Sequence, residues 1–345
     1  MPKLEKAYPL GMLENTCGLS HAQPFTIDIP TQILYPDMKD YLTNPFQRGL
    51  YFIARNNREV AKWLPKWDEY KQNILSNIPA FQAAKGTLIP SPEEDVQFIA
   101  DRVTKDTQYL LLGETHGYSD LQKFVKQVVH EVRQRMPERE IVFFTEFISE
   151  DITDPLNETL GVWMEPHRQI WKQVVADGIP VYGIEPEFVR YQSSKTIRQA
   201  LLYKGATLSN RADIWSLVEG LRLRNTHWLN RIETFRQNHP DALVILHAGT
   251  GHIGYNEPHS VGRALRGPET LAVTLYPLPT KEVPGNPEYQ ESYTSLFDDL
   301  TNGEFPERVL YFNDPKLSHL AGFDVQLKIP MTHDNIFRVY DEFTY

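Results

Sequence analysis

The chain has 345 residues, of which 41% are hydrophobic and 23% charged, a balance that supports a sizeable buried core and rules out a disordered or fibrous protein. A formal net charge of -10 leaves no basic surplus to offset phosphate, which argues against a nucleic-acid backbone or an anionic membrane as partner. Cys17 is the only cysteine, so neither an intramolecular disulfide nor a cysteine-built zinc site can form.

Residues 1 to about 45 carry six prolines and little periodicity, and read as an arm laid over a body, with short strands at Phe25–Ile29 and Thr31–Tyr35. Phe46 to Phe81 turns helical and aromatic, interrupted by Pro65, and a short helix follows at Glu93–Val103. These segments form a helical amino-terminal extension, residues 1–105, ahead of a core at 106–345. No apolar leader stretch and no run long enough to span a membrane occurs, so the expectation is a soluble protein, cytoplasmic or exported by a signal not present here.

The core opens on Tyr109–Leu112, a short apolar run of the kind shown by a strand covered on both faces. Gly113 lets the backbone turn or approach a ligand. Glu114 and His116 are two apart, so their side chains leave on one side while the chain stays extended. Ser119 with Gln122 reads as a capping box for a helix to about residue 136, with Leu121, Phe124, Val125, Val128, Val129 and Val132 at helical spacing. A second strand, Ile141–Phe144, is followed by Glu146. A helix over Leu156–Ala176, disturbed by Pro166, leads to a third strand at Val181–Ile184 and to Glu185. Acids therefore follow three successive strands, and in an open α/β sheet that edge is where ligands bind.

Ser209 to Asn238 reads as a long helix whose apolar stripe contains Arg224 and Asn225. A charge in such a stripe costs roughly several kcal/mol unless paired, so either a strand-end carboxylate meets Arg224 or this face lines a pocket. A fourth strand, Ala242–Leu246, precedes His247 and then Gly249-Thr250-Gly251-His252. Gly113 with His116 and Gly249 with His252 are both Gly-x-x-His directly after a buried strand, which suggests two related halves. A helix at Val261–Leu265 and a strand at Thr270–Tyr276 come next. The polar, proline-rich stretch from about 279 to 320 reads as a lid-like insertion. Phe323–Ile329 and Ile336–Tyr340 read as closing strands. The fold expected is α/β, a mostly parallel central sheet flanked by helices.

At Leu111-Leu112-Gly113-Glu114-Thr115-His116, Glu146, Arg224-Asn225 and Gly249-Thr250-Gly251-His252 the chain resembles the superfamily that joins erythromycin esterases, ChaN-like haem-binding proteins and the Tiki/TraB metalloprotease-like proteins. The resemblance covers about residues 106–279. It implies two related halves with both Gly-x-x-His loops facing one cleft, Glu114, His116, Glu146 and His252 as functional residues, and Arg224 and Asn225 behind them. His247 and the 279–320 stretch do not belong to that pattern.

Two functions follow as expectations. The first is a hydrolase acting on an ester or amide of a small molecule or peptide, in which His116 or His252 takes a proton from water while Glu114 or Glu146 orients the ring. A divalent metal, manganese, iron or zinc, held by Glu114, His116 and His252 is the alternative way to activate that water. The second function is haem binding, for which Tyr118, Tyr255, Tyr289, Tyr293 and His319 are the candidate axial ligands. Oligomeric state is open at this level.

Overall fold

The computed structural model describes residues 45–150, 152, 154, 156, 165–186, 218–285 and 293–332. The strands expected at Phe25–Ile29, Thr31–Tyr35 and Ile336–Tyr340, residues 209–217 of the long helix, and Tyr289 lie outside them. Among the described residues the elements run α1 (Pro45–Ser76), α2 (Ile78–Ala84), α3 (Asp95–Ala100), β1 (Tyr109–Glu114), α4 (Ser119–Arg135), β2 (Ile141–Ser149), α5 (Glu165–Ala176), β3 (Val181–Glu185), α6 (Val218–Asn238), β4 (Leu243–Gly249), α7 (Thr250–Ile253), α8 (Val261–Leu265), β5 (Thr270–Leu278), α9 (Leu296–Leu300), β6 (Val309–Tyr311), α10 (Pro315–Ala321) and β7 (Val325–Pro330).

The strands form one seven-stranded sheet in the order β3-β2-β4-β1-β5-β7-β6. Every pair is parallel except β6 with β7. The fold is therefore α/β with a mostly parallel sheet, as the alternation of apolar runs and helical stripes implied. None of the described helices is long and apolar enough to cross a membrane.

Alternation along the strands decides which helix each residue meets. Leu110 and Leu112 of β1, Ile141 and Phe143 of β2, and Leu243 and Ile245 of β4 pack on one face with Val125, Val129 and Val132 of α4 and Trp171 and Val174 of α5. Leu111, Val142, Phe144, Val244 and Leu246 pack on the other face with Trp228 and Ile232 of α6, Ile253 of α7 and Val261 of α8. A third cluster joins Trp67 and Ile74 of α1, and Phe81 of α2, to Phe297, Phe305, Phe312 and Phe323.

That third cluster bears on the stretch expected as a lid. Residues 293–321 supply two helices and the antiparallel strand β6, and their aromatic side chains are core. Hydrophobic burial of this kind contributes roughly 1.5–3 kcal/mol per large side chain. Three further sequence readings are adjusted. Ser119 is the first residue of α4 rather than its cap, since the N-cap position is Tyr118 and makes no side-chain cap bond. Helix α1 runs through Pro65; α5 is described from Glu165 to Ala176, and residues 157–164 of the expected helix lie outside the described residues. Strand β2 runs on to Ser149, with a shift of register between Thr145 and Ser149, so Glu146 lies inside the strand rather than past its end.

The loop after α7 holds an unpaired acid. Burial alone pushes the Glu257 carboxyl up to about 8, and its Oε2 is buried without a hydrogen-bond partner. Between its ordinary value of 4.5 and 8 the folded chain binds the proton more tightly than the unfolded chain. Stability is thus lost as pH rises through that window. Glu257→Gln should leave stability near pH 4 almost unchanged and raise it by about 1–3 kcal/mol at pH 9, as read by urea unfolding at the two pH values.

Candidate functional site

Because β1 and β4 are neighbours, with Glu114 opposite Gly249, the two Gly-x-x-His loops stand side by side at the carboxyl edge of the sheet. The side chains then follow the strand alternation. Glu114 is in phase with Leu110 and Leu112 and points to the α4/α5 face. Glu146 is in phase with Val142 and Phe144 and points to the α6 face. Two carboxylates, Glu114 fully buried and Glu146 with its side chain 8% exposed, therefore sit on opposite faces of one sheet.

Three imidazoles surround Glu114. His247 Nε2 donates to its Oε2 at 3.0 Å, while His167 Nε2 at 3.2 Å and His116 Nδ1 at 3.5 Å approach its Oε1. Burial alone would raise this carboxyl, but His247, His116 and His167 outweigh it and hold the group well below the usual carboxylate range. Phe147 packs against all three rings, with centroids 3.8 Å from His167, 5.0 Å from His247 and 5.1 Å from His116.

On the other face Glu146 Oε2 accepts the Gly249 backbone N–H at 2.8 Å and stands 3.6 Å from His252 Nε2. Its Oε1 is 3.2 Å from His116 Nε2 and 3.9 Å from the Arg224 guanidinium. Burial again opposes the charge, and the neighbouring His252, His116 and Arg224 overcome it and lower the pKa. Arg224 makes a fork onto Glu185, Nε to Oε1 at 2.9 Å and an outer guanidinium nitrogen to Oε2 at 2.6 Å. The cation in the apolar stripe of α6 thus meets the acid that ends β3, and through Arg224 all three strand acids belong to one network.

His116 joins the two halves. Strand β1 ends at Glu114, and the turn closed by Gly117 at φ 93° carries the ring over the sheet edge, so that Nδ1 faces one carboxylate and Nε2 the other. Burial disfavours its charge, yet Glu146 and Glu114 together raise its pKa to about 10. With its side chain 39% exposed it is also the open member of the group, and water screens part of that effect.

His252 has the opposite character. Its Nδ1 lies 2.6 Å from Asn225 Oδ1, and Asn225 Nδ2 donates to the His259 carbonyl at 3.0 Å. A carbonyl only accepts, so the amide nitrogen of Asn225 must face it and the amide oxygen must face His252. Nδ1 therefore carries the proton and Nε2 is a bare lone pair turned toward Glu146. Burial first, and then Arg224, lower its pKa to about 3. Trp228 lies against the ring at 4.4 Å.

Of the residues named from the sequence, Glu114, His116, Glu146, Glu185, Arg224, Asn225, His247 and His252 all fall in this network. The set named for a metal does not converge on one point. Both oxygens of Glu114 face imidazole nitrogens on one face, whereas His252 faces Glu146 on the other. Among the described residues no group of three or more His, Cys, Asp or Glu side chains is arranged to hold a metal ion. The haem candidates lie in separate pairs. Tyr118 contacts Tyr293, while Tyr255 contacts His319 and donates to Asp324.

Sequence reasoning missed His167 and Phe147. His167 had a signal, since it opens the stripe His167, Ile170, Trp171, Val174 along α5, a polar residue at an apolar position like Arg224. Gly249 owes its identity to close approach. A Cβ there would stand 2.8 Å from His116 Nε2, so Gly249→Ala should displace that ring, read as a shift of the His116 imidazole NMR signals with little change in melting temperature.

No family model matches the chain, and no curated protein matches it. Among solved structures it is similar to the type III effector HopBA1, at 14% identity over 54% of this chain and 83% of that one, with a TM-score of 0.35. It is similar also to a variant of the erythromycin esterase EreC in its open conformation, at 11% identity over 56% and 77% of the two chains, TM-score 0.34. A Bacillus cereus protein is matched at 11% identity over 77% and 99%, TM-score 0.34. These likenesses are distant and concern the fold alone.

Proposed function

We propose that the protein is a hydrolase that splits an ester or amide bond of a small molecule or peptide with two imidazoles held in opposite protonation states. The observation that carries this reading is the sharing of Glu146 between His116 Nε2 and His252 Nε2, at 3.2 and 3.6 Å. One ring is raised to about 10 and the other lowered to about 3. Groups whose environments push their pKa values apart are natural acid and base partners.

In this reading water attacks the carbonyl carbon and gives its proton to the bare Nε2 of His252. His116 Nε2–H gives its proton to the leaving oxygen or nitrogen as that bond breaks. Glu146, next to both nitrogens, returns the proton from His252 to His116, and the cycle closes. Glu114 keeps His116 oriented and cationic. No metal is needed for these steps, and the donor arrangement around Glu114 does not favour one.

The test is a hydrolysis screen of ester and amide substrates on wild type, Glu114→Gln and His252→Gln, with elemental analysis and an absorption spectrum taken on the same protein. Hydrolysis by wild type that both variants lose supports the reading. Hydrolysis that survives in His252→Gln refutes it. One transition metal per chain, lost in His116→Ala, would transfer the chemistry to that metal, and a Soret band that returns on adding haem would transfer it to haem binding.

The protonation states have a pH signature. A histidine raised in the folded state contributes stability fully below its unfolded value, about 6.5, and loses it as pH rises through the folded one. The imidazolium acid disappears in the same range. A carbon–proton NMR titration should place the His116 inflection near 10, with hydrolysis falling there and melting temperature falling across the interval from about 6.5 to 10. An inflection near 6.5 would remove the acid from the scheme.

A further inference from the structure

The chain of hydrogen bonds that sets the His252 tautomer does not stop at the His259 carbonyl. His259 is one of two described non-glycine residues with positive φ, at 59°, a backbone region that such residues hold only when their surroundings impose it. Its ring is what the surroundings grip. His259 Nε2 lies 2.9 Å from Glu59 Oε2 and 3.2 Å from Trp63 Nε1, a donor, and the Trp63 indole stands edge-on to the ring at 5.6 Å. Glu59 and Trp63 are one turn apart on α1, and Glu59 is buried.

The last two steps are forced by donor and acceptor identity. Glu59 and Trp63 hold the ring of His259, and the residue so held carries the left-handed backbone and the carbonyl. The carbonyl fixes the Asn225 amide, and the amide oxygen fixes the proton on His252 Nδ1. Were the carbonyl to turn away, the Asn225 amide would be free to flip and present Nδ2 to His252. That would favour the other tautomer and block the lone pair aimed at Glu146.

We propose that Glu59 and His259 are positioning residues that set the tautomer of His252, so that the amino-terminal helix α1 belongs to the catalytic apparatus rather than serving only as a cover. The mechanistic consequence rests on the hydrolase reading above; the tautomer does not. A residue that touches no reacting atom therefore governs which nitrogen of His252 is bare.

The experiment uses the full chain with isotope-labelled histidine and reads the His252 ring nitrogens by long-range proton–nitrogen spectra, which needs no substrate. Wild type should show a single Nδ1–H tautomer. Glu59→Ala should convert it to a mixture, and Glu59→Gln, which keeps an oxygen to accept from His259, should restore the single form. Helix α1 stays docked in Glu59→Ala through Arg55 with Glu219 at 3.5 Å and through Trp67 and Ile74 in the aromatic cluster. A melting temperature within a few degrees of wild type is therefore the expected control. Where hydrolysis is found, kcat should fall on the order of 10-fold in Glu59→Ala, with KM little changed. A single Nδ1–H form in Glu59→Ala overturns the proposal whatever the activity; a mixture with no hydrolysis in any variant sinks the hydrolase reading and leaves the positioning intact.

Discussion

In the proposed hydrolase, replacing Glu146 by Gln should reduce hydrolysis about 1,000-fold while the chain stays folded. Both Nε2 atoms lose their shared anion, so proton return from His252 to His116 has no carrier. His116 keeps only Glu114, at the longer separation of 3.5 Å, and its pKa should drop toward the ordinary imidazole value. The Gln oxygen can still accept the Gly249 N–H, which preserves the backbone of the β4–α7 turn. The two readouts are kcat/KM on the substrate found by screening and the NMR titration of His116. A His116 inflection still near 10 would mean that Glu146 does not hold the charge there, and the acid and base would need to be reassigned.

The second large effect is on stability. Arg224→Met removes a cation from between two carboxylates, and Glu185 is left buried with its fork partner gone. Removing one partner of a buried pair typically costs about 3–5 kcal/mol, and that is the expected fall in unfolding free energy by urea titration. Arg224→Met with Glu185→Gln should recover most of it, because the buried negative charge is gone as well. If the single variant loses under 1 kcal/mol, Glu185 does not depend on the Arg224 fork for its place in the network.

The sheet was legible because buried parallel strands are short apolar runs, and Tyr109–Leu112, Ile141–Phe144 and all of Ala242–Leu246 but Ala242 belong to strands. The strand ends were not. β2 continues through Thr145-Glu146-Phe147, which reads as polar loop until the partners of Glu146 are known. His116 and His252 stood out because each stands three residues after a glycine at a strand's carboxyl end, and Glu114 because it shares the first of these turns. What no spacing contains is strand order, and it is the adjacency of β1 and β4 that brings the two loops together. Which face each acid takes follows from period two, yet His116 crossing between the faces depends on a turn geometry that alternation does not specify. The aromatic cluster was missed for a related reason. Phe297, Phe305 and Phe312 sit among prolines and acids with no helical or strand period, so their burial has no local signature.

The short strand β6 has a consequence of a different kind. A parallel sheet that ended at β7 would present a row of free backbone donors and acceptors, a template onto which another chain can add. β6 takes up that row in the antiparallel sense, and its own outer side is in turn occupied by the segment after α2, where Gly86 donates to Tyr311 and Asn313 to Ala84. The chain thus closes this flank with its own amino-terminal backbone. Residues 84–86 guard it against strand-by-strand growth into aggregates, and trimming the chain to its sheet and flanking helices would bare a sticky edge as well as remove two helices.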